Sequence, residues 1–275
     1  MNRSTTTQPR PAVTPDRATR PFWQMVALLR METTALRRNW TATLLSGVSP
    51  LLIGVLLTSG YGNDPVPGVR RAVSVISLLA VFVVHHHLTT VYASRRQELV
   101  LKRLRAGLPS DRTILFGTAS CTVLMFLLQA GALVVYTILV LGLPAPKNPL
   151  IMLVSLVLGA AVMAGFSALL SAVTRSSEAA MLTTLPSMMI LLCTPGALLP
   201  IGRMPEPVET LLWLLPTGPF TEILRIGWLG RDDDGQVLSL AETFTASLPS
   251  LGVLLVWLVV SLLLARRYFR WEPRH

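Results

Sequence analysis

The chain has 275 residues, of which 52% are hydrophobic and 14% are charged, and its formal net charge is +10. About a quarter of the residues of a soluble domain are charged, so this composition excludes an ordinary soluble protein and indicates a polytopic membrane protein. The positive charge could suggest nucleic-acid binding. The arginines have a simpler explanation as orientation signals, so we expect no nucleic-acid partner. Both cysteines, Cys121 and Cys193, lie in apolar runs, which argues against a disulfide framework.

The N-terminal part divides into a tail and an amphipathic segment. Residues 1–20 are rich in Thr, Pro and Arg and lack the apolar core of a cleavable signal peptide, so we expect a disordered cytoplasmic tail. Residues 21–275 are predicted to form one transmembrane domain. Residues 21–40 place apolar side chains at three- and four-residue steps and arginines on other faces. This pattern predicts a helix lying in the membrane interface, although a helix packed on another protein would also fit.

Six apolar runs follow, each close to the roughly 20 residues that a helix needs to cross a bilayer. They cover residues 41–60, 72–93, 113–141, 150–173, 179–200 and 245–265. Pro186 and Pro195 interrupt the fifth run, which membrane helices tolerate where neighbours satisfy the freed backbone groups. Ala161 and Gly165 have the spacing of a small-residue packing motif within the bundle. The fold class predicted is all-α, with six transmembrane helices.

The distribution of arginine and lysine predicts the orientation. Most of the 24 cationic side chains fall on the tail, on the segment between the second and third runs, and after the sixth run. The positive-inside rule then places both termini in the cytoplasm, in a multi-pass protein of the cell inner (cytoplasmic) membrane. Arg70 and Arg71 oppose the rule locally.

Residues 201–244 lie between the fifth and sixth runs and combine apolar pieces with prolines and charges. Glu206, Glu209, Glu222 and Arg225 argue against a seventh span, because a central charge costs about 2.5–3.5 kcal/mol in a membrane helix. We expect short re-entrant helices that enter the outer leaflet.

The segment 94–112 is short, strongly basic and lies between two apolar runs. Ser94 and Gln97 have the spacing of a capping box, which predicts that a brief helix begins there. Gly107 and Pro109 would end it. One interpretation is a loop that is basic only because it is cytoplasmic. The other is a docking helix for a cytosolic partner, whose contact residues would be Glu98, Lys102, Arg103, Leu104 and Arg105.

Several kinds of chemistry lack their sequence signatures. Neither Lys102 nor Lys147 stands in a phosphate-binding loop, so we expect no nucleotide site, no catalytic residues and no cofactor in this chain. The six runs contain no Asp, Glu, Lys or Arg, which disfavours an ion-coupled carrier. Three adjacent histidines, His85, His86 and His87, point around a helix rather than onto one face. That spacing favours polar residues near the inner membrane surface over a metal site.

Three segments together resemble the permeases of ABC-2 type transporters. The segment 95–117 is similar to their coupling-helix region, and 170–180 is similar to the short inner loop before their fifth span. The prolines and apolar pieces of 195–225 resemble their broken fifth span and outer helices. With the six runs and the interfacial helix, the resemblance covers about residues 21–267.

The resemblance implies a membrane-spanning subunit that works as a permease homodimer in the lipid bilayer with cytosolic ABC ATPase subunits. ATP and Mg would bind the partner subunit, and the docking residues above would contact it. The cargo expected is an amphiphile such as an antibiotic or drug. A lipid or polysaccharide permease, an ion-coupled carrier and a sensor subunit without transport remain alternatives.

Overall fold

The computed structural model describes residues 48–59, 64–97, 111–176, 178–194, 205–232 and 235–269. These residues form helices and no β-strand, apart from one isolated bridge between Arg231 and Val237. The predicted all-α class is confirmed. The tail at 1–20 and the interfacial helix at 21–40 lie outside the described residues. The helices are α1 (Ser49–Thr58), α2 (Pro65–Gln97), α3 (Asp111–Leu139), α4 (Pro149–Ser171), α5 (Ala180–Leu192), α6 (Glu206–Trp213), α7 (Thr217–Leu229) and α8 (Leu240–Tyr268).

Four of these helices are long and apolar enough to cross a bilayer. They are α2, the Phe116–Leu139 part of α3, α4 and α8, and they coincide with the second, third, fourth and sixth predicted runs. The first and fifth runs contain the shorter apolar helices α1, of 10 residues, and α5, of 13 residues. Both adjoin residues outside the described part of the chain.

The second span begins earlier than its apolar run. The Asp64 side chain accepts a hydrogen bond from Val66 N at 3.1 Å, and Pro65 occupies the first helical position, so the helix has a regular N-terminal cap. Arg70 and Arg71 therefore lie in the first turns of α2 rather than in a loop. Arg71 Nε donates to the Leu57 carbonyl near the end of α1, 3.3 Å away. This contact gives one of the two locally anomalous arginines a structural role at a helix terminus.

At its other end, α2 continues without interruption through Ser94 to Gln97. The prediction that a new helix is capped at Ser94 is therefore wrong. The Ser-x-x-Gln spacing also occurs within helices, where it places two polar side chains on one face. No glycine or proline separates Ser94 from the preceding span, so the helical hydrogen-bond ladder simply extends.

The centre of the bundle is α4, which packs against α8, α7 and α2. Nearly every residue of α7 is buried, chiefly by α2, α4 and α8. Close approach depends on small residues: a Cβ on Gly159 would lie 2.4 Å from the Phe220 ring, and a Cβ on Gly165 would lie 2.4 Å from Ser261 Oγ. The predicted packing role of Gly165 is thus confirmed, with α8 as the partner helix.

Candidate functional site

The structure describes both flanks of the basic segment. The predicted docking residues themselves lie outside the described part of the chain: Glu98, Lys102, Arg103, Leu104 and Arg105. Arg95 and Arg96, which precede them, lie on the last turn of α2. Their side-chain contacts show how the docking segment is attached to the bundle.

Arg96 is buried, with 1% of its surface exposed. Its Nη1 donates to the carbonyl of Ser171, the last residue of α4, at 2.7 Å, and its Nη2 donates to the carbonyl of Thr174 in the following turn. The guanidinium therefore satisfies carbonyls at the end of a helix, where a positive charge also complements the helix dipole. Arg96 is therefore not a residue of a loop that is basic only because it is cytoplasmic, since it lies on α2 and its guanidinium binds two carbonyls inside the bundle.

Arg95 makes a different contact. Its Nη1 donates to Thr118 Oγ1 of α3 at 2.6 Å. Two consecutive arginines thus fasten the end of α2 to two different neighbours, α3 through Arg95 and α4 through Arg96. The two positive charges were visible in the sequence. Their hydrogen-bond partners are distant in the chain, so only the fold identifies them.

The turn after α4 is also bonded to α5. Thr174 Oγ1 lies 2.9 Å from Thr183 Oγ1, within hydrogen-bond distance. Just before α5, Ser176 Oγ accepts a hydrogen bond from Ala179 N at 3.1 Å. Hydroxyl groups therefore organise the connection between the two helices, and Arg96 binds the same connection through a backbone carbonyl.

Two of the three histidines bind α5. The stretch Ala80–His86 of α2 is π-helical, a geometry often found at functional sites. His85 Nε2 lies 2.8 Å from Ser187 Oγ, and His86 Nδ1 lies 2.7 Å from Thr184 Oγ1. Ser167 of α4 donates to the His85 carbonyl at 3.0 Å. Among the described residues, no group of three or more His, Cys, Asp or Glu side chains is placed to hold a metal ion.

These contacts form one continuous feature, which we call the α2–α5 seam. It runs along the side of α5 that faces α2, while the other faces of α5 expose large apolar side chains. The seam consists of His85, His86, Arg96, Thr174, Thr183, Thr184 and Ser187. The three- and four-residue spacing from Thr183 and Thr184 to Ser187 could have suggested a polar face of α5. Only the structure identifies the residues that this face contacts.

A second polar arrangement lies on α7. Arg225 Nη2 is 2.5 Å from Glu222 Oε1, and Arg225 Nε is 3.0 Å from Glu222 Oε2. The two side chains are only 5% and 16% exposed, respectively. Arg225 Nη1 also donates to the Asp232 carbonyl at 3.2 Å. The spacing of three residues could have predicted this pair, which makes the two charges compatible with a buried helix.

Asn148 joins three helices at the same end of the bundle. Its side chain caps α4 by accepting from Ile151 N at 3.2 Å and donates to Thr243 Oγ1 of α8 at 2.8 Å. Its backbone N donates to the Gly227 carbonyl of α7 at 2.8 Å. Sequence reasoning missed this residue, although an Asn-Pro pair before an apolar run is a helix-start signal.

Comparison with known proteins gives a family match. A family model described as ABC-2 type transporter matches residues 24–229, well over half of the chain. The matched range includes the basic segment, the whole α2–α5 seam and all of α7. No curated protein matches the chain.

Proposed function

Because the chain belongs to the ABC-2 type transporter family, as the match over residues 24–229 shows, we propose that it is the membrane-spanning subunit of an ATP-driven exporter. Membership makes the chain a transport component in a membrane and implies an ABC ATPase partner. The chain is not itself a catalytic enzyme. The family match is the single observation that carries this proposal.

ATP hydrolysis would take place on the partner, with Mg, and the basic segment would receive the resulting movement. Glu98, Lys102, Arg103, Leu104 and Arg105 are the proposed contact residues. Their position directly after the end of α2 supports this assignment, since Arg95 and Arg96 attach that end to the bundle. A segment that directly follows two such attached residues would be mechanically connected to the spans, as a docking element must be.

The proposed topology has six spans, and both termini face the cytoplasm. The protein would lie in the inner (cytoplasmic) membrane of the cell. The four long helices account for four spans, and the apolar helices α1 and α5 mark the remaining two. We further propose that α6 and α7 form a re-entrant pair that enters from the outer side. Phe220 near the start of α7 contacts Gly159, whereas Gly227 near its end contacts Asn148. These contacts lie about 16 Å apart along α4, so α7 would reach about halfway through the bilayer.

The proposed cargo is an amphiphile such as an antibiotic or drug. The polar groups buried in the described bundle are mainly hydroxyls, and the buried charges Arg225 and Arg96 are already engaged. Such an interior favours compounds with an apolar body and a few uncharged hydrogen-bonding groups. Two copies of the chain would form the permease, as in the family.

The test is reconstitution of the permease with its ABC ATPase subunit in lipid vesicles. We expect amphiphilic drugs to stimulate magnesium-dependent ATP hydrolysis and to accumulate on the side of the membrane opposite the ATPase. An uncharged oligosaccharide serves as the comparison compound. Stable assembly without stimulation by any compound, and without movement of any compound, would favour a sensor subunit instead.

A further inference from the structure

The end of α2 is bonded to α5 through the turn that follows α4. Arg96 stands two positions before Glu98, the first residue of the proposed docking contact. Its side chain is buried and bound to two carbonyls, so the backbone that enters the docking segment is held in a fixed relation to the turn.

The turn that follows α4 is also hydrogen-bonded to the start of α5. Arg96 binds the Thr174 carbonyl, and the Thr174 hydroxyl lies 2.9 Å from the Thr183 hydroxyl. Thr183 also donates to the Ala179 carbonyl at 3.1 Å, which fixes its side chain on the first turn of α5. A displacement of Arg96 thus has a direct hydrogen-bonded route to α5.

The first turns of α5, at the end of this route, are more loosely packed than its last turn. Its contacts are chiefly with α2, and those with α4 are few. Met181 and Leu182 in its first turn are more than half exposed. Leu191 and Leu192 at its other end lie in the core, and the Leu191 carbonyl accepts from Thr217 of α7. Movement at the start of the helix would therefore cost little core packing, while its end stays attached to the bundle. The histidine contacts of the α2–α5 seam lie farther along the same helix and would follow its movement.

We propose that Arg96 is a positioning residue that transmits movement of the docking segment to α5 through Thr174 and Thr183. The inference rests on the proposed function, since the movement originates in an ABC ATPase. It adds a residue and a route that the docking contact alone does not include. A residue that only capped α4 would contribute to stability without linking ATP binding to α5.

The experiment follows α5 directly. An environment-sensitive fluorophore is attached at Leu182→Cys, in a chain whose native cysteines are replaced by Cys121→Ala and Cys193→Ala. The purified complex with the ABC ATPase, in lipid nanodiscs, receives Mg-ATP and vanadate. We expect a spectral shift with the otherwise unaltered chain and loss of that shift with Arg96→Gln, while the ATPase still co-purifies.

The neighbouring arginine provides a matched control. Arg95→Gln removes the same charge but breaks the contact to α3, so the shift should persist. Thr183→Val keeps the size of the side chain and removes its hydroxyl, and it should lose the shift although Arg96 is intact. If Arg96 and Thr183 act on one route, the double variant Arg96→Gln, Thr183→Val should be no more impaired than Arg96→Gln alone.

Three outcomes would overturn the inference while leaving the proposed function standing. They are an unaltered chain that shows no shift although it hydrolyses ATP with its partner, a full shift in Arg96→Gln, or a full shift in Thr183→Val. If Arg96→Gln fails to insert into the membrane, the result for Thr183→Val alone tests the inference. Failure of the unaltered permease to bind any ABC ATPase would instead overturn the proposed function and this inference with it.

Discussion

Arg225 and Glu222 form a two-point ion pair in the interior of the bundle, one helical turn apart on α7. Both nitrogens that Arg225 directs at the carboxylate lie within 3.0 Å of an oxygen. The planar fork of the guanidinium matches the carboxylate, and its remaining nitrogen binds the Asp232 carbonyl. The pair neutralises both charges on a helix that three neighbours enclose.

Breaking one half of this pair should be more harmful than removing both halves. Glu222→Gln leaves the Arg225 charge buried and should destabilise the protein by about 3–5 kcal/mol. Glu222→Gln combined with Arg225→Met should recover part of that loss. Thermal unfolding in detergent measures the difference. Glu206→Gln, on the exposed face of α6, is the matched control and should change little. Equal effects at Glu206 and Glu222 would contradict a buried pair.

A methyl group at Gly159 should disturb the contact between α4 and α7. The added Cβ would lie 2.4 Å from the Phe220 ring, which must then leave its position. We expect Gly159→Ala to destabilise the protein by about 1–3 kcal/mol. Gly252→Ala, in α8, meets no atom within 4 Å and should be neutral or stabilising by up to about 1 kcal/mol. The melting temperatures of the two variants measure the difference. A lower melting temperature for Gly252→Ala than for Gly159→Ala would contradict the close contact between Gly159 and Phe220.

Loss of the Ser187 hydroxyl should weaken the attachment of α5. In Ser187→Ala, His85 Nε2 loses the partner that lies 2.8 Å away, at a cost of about 0.6–2 kcal/mol. Ser120→Ala is a suitable control, because that hydroxyl donates to the Phe116 carbonyl of its own helix. Limited proteolysis and thermal unfolding both detect the loosening. Identical behaviour of the two variants would mean that the histidine contact contributes nothing to stability.

Leu104 separates the two interpretations of the basic segment. If it fills an apolar pocket of the ATPase, Leu104→Asp should weaken binding by more than about 2 kcal/mol and abolish transport without preventing membrane insertion. Arg175→Glu, in the other proposed inner loop, should have a smaller effect. Co-purification with the ATPase measures binding. Normal assembly and transport in Leu104→Asp would leave the segment as an orientation signal.

The proposed topology predicts which side of the membrane each of three positions faces. Single cysteines are introduced as Thr5→Cys, Asp233→Cys and His275→Cys, after Cys121 and Cys193 have been replaced by alanine. In intact cells, a membrane-impermeant thiol reagent should label only the cysteine at position 233. Labelling at either terminus before the cells are opened would contradict the assignment of both ends to the cytoplasm.

Apolar length was sufficient to predict the long helices of this protein, and the spacing of small residues predicted the close packing at Gly165. The interactions that orient those helices were not predictable in the same way. Arg96 looked like one more cation in a basic loop, because nothing local distinguishes a solvated arginine from one that binds carbonyls 75 or more positions away. Asn148 and the Glu222–Arg225 pair had local signals, in capping and in three-residue spacing, whose tertiary partners only the fold supplies.

The enclosure of α7 has a consequence for how the protein is made. This helix carries two charged side chains and is covered by α2, α4 and α8, the last of which is synthesised after it. Lipid is a poor substitute for that cover, since even a paired set of charges is costly to expose to hydrocarbon. In the proposed re-entrant arrangement, α7 would complete its insertion only once α8 is in place, so that these two helices would enter the membrane as one cooperative unit. A chain that stops before Leu240 would leave α7 without the cover that α8 provides.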